Sequence, residues 1–152
     1  MSIAIVGAGG HGRVALECLE LSCGIADEVV FYDDRWEHLG AIDDVPVYGP
    51  VDDLATDGRF DRVFVGVGDN VARRRISLLL ERAAKTFLTI RHPKTTISPR
   101  AAIGEGTIVV AGTVVNRDAR VGFGAILNTV CSVGHDCVVE AVSYTHLTLP
   151  TN

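Results

Sequence analysis

Residues 97–139 read ISPRAA-IGEGTI-VVAGTV-VNRDAR-VGFGAI-LNTVCS-VGHDCV-V when broken into sixes. Each block opens on a branched aliphatic: Ile97, Ile103, Val109, Val115, Val121, Leu127, Val133 and Val139. At this chain's aliphatic content such a register arises by chance on the order of a few times in ten thousand, so it is an internal repeat. The residue four places on is small throughout: Ala101, Thr107, Thr113, Ala119, Ala125, Cys131 and Cys137. A period of six suits neither a 3.6-residue helix nor an alternating strand. It suits a parallel β-helix in which each hexad forms one flat side of a triangular coil and three hexads, ~18 residues, close a turn. The branched residue then points inward, and the small one lies where the chain bends.

Upstream the pattern is different. Apolar runs at Ile3–Val6, Val29–Tyr32, Val45–Tyr48, Arg62–Val67 and Phe87–Ile90 read as strands. Helices are expected over Arg13–Leu21 and from a cap at Asp69 or Asn70 through Ala84. This alternation predicts a parallel sheet with helices on its faces, a small Rossmann-like α/β domain. Pro93 and Pro99 end it. The expected organisation is therefore α/β over residues 1–92, then a β-solenoid over 93–140. The inward register fails after Val139, where Thr145 and Thr151 stand, and Ser143–Asn152 share nothing with the repeat, so 141–152 read as a separate tail. That tail is expected to be non-native and the solenoid incomplete.

The whole chain narrows the field. It has 152 residues, 47% of them hydrophobic and 22% charged, as in globular proteins. A net charge of -5 argues against a nucleic-acid partner. No stretch is apolar enough for membrane insertion, and Ile3–Gly7 follow the N-terminus with no signal-peptide pattern, so a cytoplasmic location is expected. Cys18, Cys23, Cys131 and Cys137 form no C-x-x-C and read as plain thiols, so no metal is expected. His38, His92 and His146 read as surface residues.

Four places carry possible chemistry. Gly7-Ala8-Gly9-Gly10-His11-Gly12 matches G-x-G-x-x-G between a strand and a helix, a turn that lets phosphate approach a helix N-terminus. Asp33-Asp34 closes the second strand at the sheet edge where open α/β folds bind ligands. Gly68, in Gly66-Val67-Gly68-Asp69-Asn70, allows close backbone approach at the same edge. Arg73-Arg74-Arg75 reads as a solvated helix face, with Arg73 best placed to reach a phosphate. In the repeat, His135 comes two places after inward Val133 and projects outward, where an imidazole can take a proton from an attacking amine or hydroxyl; Asp136 beside it can orient or stabilise it.

Together these residues resemble bacterial sugar acetyltransferases of the NeuD/PglD type. The matching pieces are Gly7–Gly12, Phe31–Asp34, Val65–Asn70, Ile126–Thr129 and Ser132–Val138, in family order over about residues 2–140. The resemblance implies a left-handed β-helix and a homotrimer. It implies acetyl-CoA as co-substrate and a nucleotide-sugar, or a sialic-acid-like molecule, as acceptor. His135 is the implied general base, with Asp136 its partner. Gly9, Gly10, His11, Asp33, Asp34 and Gly68 are the implied acceptor-binding residues. It also implies further coils that hold acetyl-CoA, and a second His where Tyr144 stands, so the chain is expected to be an inactive N-terminal part of such an enzyme. Two other readings stay open: an NAD-binding oxidoreductase fragment, from the glycine loop with Asp33, and a non-catalytic trimeric β-helix binding module.

Overall fold

A computed structural model describes residues 2–23 and 28–145. The expected His146, and the side chain of Cys23, lie outside the described residues.

The first half is built on β1 (Ile3–Val6), α1 (Gly10–Cys23), β2 (Val29–Tyr32), α2 (Trp36–Leu39), β3 (Ala41–Ile42), β4 (Val45–Tyr48), β5 (Arg62–Val65), α3 (Asn70–Arg82) and β6 (Thr86–Phe87). The strands form one sheet in the order β3-β4-β2-β1-β5-β6, parallel except for the β3–β4 pair. Alternate residues of β1 serve opposite faces, as the two-residue strand period requires. Ile3 and Ile5 pack with Leu16 and Leu19 of α1, whereas Ala4 and Val6 pack with Ile76 and Leu80 of α3. Asp69 caps α3 as expected, its carboxylate accepting from the Ala72 N–H at 2.7 Å. α1 starts three residues earlier than the apolar spacing suggests, because Gly10, His11 and Gly12 are already helical. Only glycine fits at position 12: a Cβ there would lie 1.8 Å from the Gly7 carbonyl oxygen.

The hexads fold as the repeat predicts. Among the described residues, ten two-residue strands follow β6: β7 (Ile90–Arg91), β8 (Thr96–Ile97), β9 (Ala102–Ile103), β10 (Ile108–Val109), β11 (Val114–Val115), β12 (Arg120–Val121), β13 (Ile126–Leu127), β14 (Ser132–Val133), β15 (Val138–Val139) and β16 (Tyr144–Thr145). They stack into three parallel sheets: β16-β13-β10-β7, β14-β11-β8 and β15-β12-β9. Val109 lies opposite Leu127, Val115 opposite Val133 and Val121 opposite Val139, each one coil of three hexads apart. These residues and the small ones at Ala119, Ala125 and Cys131 fill the interior. Thr107 and Thr113 are fully buried there, and each hydroxyl donates to a carbonyl of the next coil, at Gly122 and Asn128.

Two boundaries differ from the sequence reading. The run Phe87–Ile90 is divided, and Ile90–Arg91 pairs with Ile108–Val109 as the first rung of the solenoid, ahead of residue 93. At the other end the coil runs on through β16, past Glu140. Thr145 takes the inward place opposite Leu127, its hydroxyl 3.2 Å from the Cys131 sulfur and donating to the Ile126 carbonyl, so a polar residue is satisfied inside.

One face of the prism is apolar outside as well as inside. Ile90, Ile108 and Ile126 point outward from their sheet and are nearly fully buried against α1. Each such burial contributes about 2 kcal/mol. The two halves thus share a core, and Phe87 meets Phe123 edge-on at 4.8 Å on the other side.

The corners repeat in the backbone too. Gly106, Gly112, Asp118, Gly124, Val130, Asp136 and Val142, six apart, all have positive φ. Glycine and aspartate tolerate this conformation; a β-branched residue does not. Val130, at φ 58° and 61% exposed, gives up little packing if shortened. Val130→Gly is expected to stabilise the fold by about 0.5–1 kcal/mol, read as a higher midpoint of thermal unfolding; a lower midpoint contradicts a strained corner.

Candidate functional site

The glycine loop and the two carboxylates meet at the carboxyl edge of the sheet. A Cβ at Gly9 or Gly10 would meet nothing within 4 Å, so the space over the N-terminus of α1 is open. Helix N-termini of this kind present unpaired N–H groups to anions. His11 lies one residue into the helix. Its ring stands edge-on to Tyr144 of the solenoid, with centroids 5.1 Å apart. Gly68 also packs on it: a Cβ there would come 3.0 Å from the imidazole, so the ring would have to give way by a few tenths of an ångström.

Asp33 is not presented as a free acceptor. Its Oδ2 accepts from the Ala8 N–H at 2.9 Å and from Arg35 Nη2 at 3.0 Å; its Oδ1 accepts from the Arg35 N–H and Nε, both at 2.9 Å. The Arg35 fork holds the buried carboxyl down at about 2, with the Ala8 and Arg35 backbone bonds assisting against the cost of burial. Asp34 is exposed, and its Oδ1 accepts from the Val51 N–H at 2.9 Å. Both acids therefore tie loops together. The Asp-x-Arg spacing that builds the first knot recurs at Asp57 and Arg59, where Arg59 grips Asp57 and Tyr32 donates to it at 2.6 Å. The Asp57–Arg59 pair walls a cavity of about 570 Å³ with Tyr32, Trp36, Tyr48 and Gly49, beside Asp33.

The arginine triplet needs correction. Arg74 and Arg75 are exposed, but Arg73 is 1% exposed and is no solvated residue. Its Nη1 donates to the Val67 and Gly68 carbonyls, its Nη2 to Asn70 Oδ1, Val142 O and Ser143 O, and its Nε to Gly124 O. The helix start, the β5–α3 turn and a solenoid corner converge on one guanidinium. Burial pulls its pKa below the ordinary arginine value, with Asp69 and Tyr144 opposing. His92 also departs from expectation: it is buried, and its Nδ1 accepts from the Lys94 N–H at 3.0 Å, closing the turn into the solenoid.

His135 and Asp136 sit on a different part of the molecule. The α/β half covers the sheet containing β10 and β13, together with the corner at Gly124 and Val142. His135 is on the corner between β14 and β15, the vertex opposite that sheet. Both side chains are exposed, at 81% and 74%, and Nδ1 of His135 lies 2.7 Å from Asp136 Oδ2. With Nδ1–H donating to the carboxylate, Nε2 presents its lone pair to solvent. The left-handed corner places Asp136 so; Asp118, one coil below, takes the same conformation and accepts from Arg117 at 2.9 Å. Cys18 offers no competing nucleophile, since burial, with Glu17 adding, pushes its thiol up to about 11. Among the described residues no group of three or more His, Cys, Asp and Glu could hold a metal ion, and no helix is long and apolar enough to cross a membrane.

The molecule is thus a small α/β domain docked on a hexapeptide-repeat β-helix, with an exposed His–Asp pair on one corner. Residues 2–78 match the family model described as the PglD N-terminal domain. The chain is 32% identical over 113 residues to the UDP-N-acetylbacillosamine N-acetyltransferase of Bacillus subtilis (strain 168), covering 72% of this chain and 51% of that protein. The acetyltransferase domain of PglB from Neisseria gonorrhoeae FA1090, solved in complex with acetyl coenzyme A, is 34% identical with a TM-score of 0.85, over 94% of this chain and 69% of that one. PerB from Caulobacter crescentus, solved with CoA and GDP-perosamine, is 32% identical with a TM-score of 0.80, over 95% and 68%. Forms of that perosamine N-acetyltransferase with one histidine replaced by asparagine or by alanine were solved with the same two ligands. The chain belongs to the PglD-type family of sugar acetyltransferases, and spans about half the length of the curated relative it matches.

The Asp33 knot has a pH signature. A carboxylate with a lowered folded pKa adds stability above its unfolded pKa, and that stability is lost as pH falls through the folded value. Wild-type stability is therefore expected to fall between about pH 4 and pH 2, and Asp33→Asn to flatten that segment in acid titrations of the unfolding midpoint. An unchanged slope in the variant contradicts the assignment.

Proposed function

We propose that the full-length protein transfers the acetyl group of acetyl-CoA to an amine on a nucleotide-linked sugar, with His135 as general base. The exposed His135–Asp136 pair carries this reading. The acceptor amine attacks the thioester carbonyl carbon and the C–S bond breaks. His135 Nε2 removes the amine proton, which passes to the departing CoA sulfur, and Asp136 stabilises the imidazolium formed in between. An amine acceptor is favoured because the B. subtilis and C. crescentus relatives are N-acetyltransferases, of UDP-N-acetylbacillosamine and of GDP-perosamine by name. The diphosphate goes over Gly9 and Gly10 at the N-terminus of α1, with His11, Gly68 and the Asp33–Asp34 loop around it. NAD is the poorer fit, because the carboxylate that would take its ribose hydroxyls is already held by Ala8 and Arg35.

Within one copy the glycine loop lies on the side of the covered β10–β13 sheet, and His135 lies on the vertex opposite it. We assign the protein to a homotrimer, in which the acceptor held by one copy meets His135 of a neighbour. A cytoplasmic location fits these substrates.

The reading is tested on the gene's full-length product. His135→Ala is expected to lower acetyl transfer by about 10²–10⁴-fold with the fold intact, as loss of a general base does; near-native turnover removes His135 from the role. Gly10→Asp, which sets a negative charge where the diphosphate binds, is expected to be inactive as well. Co-expressing the two variants should restore activity through mixed trimers, whereas no recovery would mean that loop and base act within one copy.

A further inference from the structure

Arg73 is a buried cation that the proposed chemistry does not use. Its partners are neutral carbonyls, drawn from three segments far apart in sequence. A desolvated guanidinium is an expensive way to hold two domains together, and apolar packing of the kind at Ile90, Ile108 and Ile126 already does so. What the fork adds is direction. One end fixes the Val67 and Gly68 carbonyls, and the other fixes the solenoid corner at Gly124. Gly68 in turn abuts the His11 imidazole closely enough that even a methyl group would displace it. His11 lies beside the open space over Gly9 and Gly10.

We propose that Arg73 is a positioning residue for the nucleoside diphosphate: by clamping the Val67–Gly68 turn to the solenoid, it sets His11 and the glycine loop in the geometry that receives the phosphates. The inference rests on the acceptor-site reading given above. It separates two roles among the contacts between the halves. The isoleucine face makes the molecule one body, and Arg73 tunes the mouth of the site.

The test is calorimetric titration of the full-length protein with UDP and with GDP, beside its thermal unfolding. Arg73→Lys keeps the charge but loses the planar fork, so it reaches fewer of the carbonyls. Ser22→Ala serves as the control: the Ser22 hydroxyl donates to the Arg91 carbonyl at 2.7 Å, another bond between the halves that does not touch the loop. Arg73→Lys is expected to weaken binding of the better-bound nucleotide by about tenfold, while Ser22→Ala lowers the unfolding midpoint with affinity unchanged. If Arg73→Lys does not fold, Asn70→Ala, which removes one acceptor from the fork, decides the matter with an expected loss of about threefold. A folded Arg73 variant, or Asn70→Ala in its place, that binds as wild type does overturns the positioning role alone. Wild-type protein that binds neither UDP nor GDP overturns this inference together with the acceptor-site reading beneath it.

Discussion

Beside the apolar seam that joins the two halves, the buried guanidinium of Arg73 is the constraint on how they meet. A charge taken out of water must find acceptors, and the nearest are backbone carbonyls freed by the β5–α3 turn and by a solenoid corner. Meeting that demand brings the start of α3 against the coil. It also leaves the glycine loop and His11 facing outward beside the last described rung. The apolar contact through Ile90, Ile108 and Ile126 supplies area; the guanidinium supplies orientation.

The same docking decides how the chemistry is divided. A triangular prism has three faces, and covering one with the α/β half leaves the opposite vertex bare. His135 occupies that vertex with Asp136 at 2.7 Å, open to whatever approaches from outside the copy. The proposed binding loop and the proposed base thus lie on opposite sides of one copy, which is why the proposal joins them across neighbouring copies. The acids at the carboxyl edge of the sheet are spent on architecture: Asp33 and Asp34 tie the loops that follow β1, β2 and β4. That leaves at this edge the backbone N–H groups of the α1 N-terminus and Arg35, whose side chain is 65% exposed although its Nε and Nη2 are held by Asp33.

Much of this is legible in the sequence, and the rest fails for identifiable reasons. The hexads give the solenoid because inward packing imposes one strong period. A second, weaker period escapes: outward Ile90, Ile108 and Ile126 recur once per coil and mark the docked face, but they read as ordinary strand residues until the coil is closed. The left-handed corners are written as glycine at 106, 112 and 124 and as aspartate at Asp118 and Asp136, although Val130 and Val142 break the pattern. Arg73 is misread because a triplet of arginines on a helix implies solvent, and its acceptors are backbone groups with no residue signature. Arg35 and His92 hide for a similar reason, since each is defined by a local turn and not by a motif.

The most direct test of the account is a crystal structure of the full-length protein with an amino-sugar nucleoside diphosphate bound. The diphosphate is expected over Gly9 and Gly10, with the sugar amine within hydrogen-bonding distance of His135 Nε2 from a neighbouring copy. A nucleotide bound away from the glycine loop, or an amine approached by no His135 at all, would contradict it.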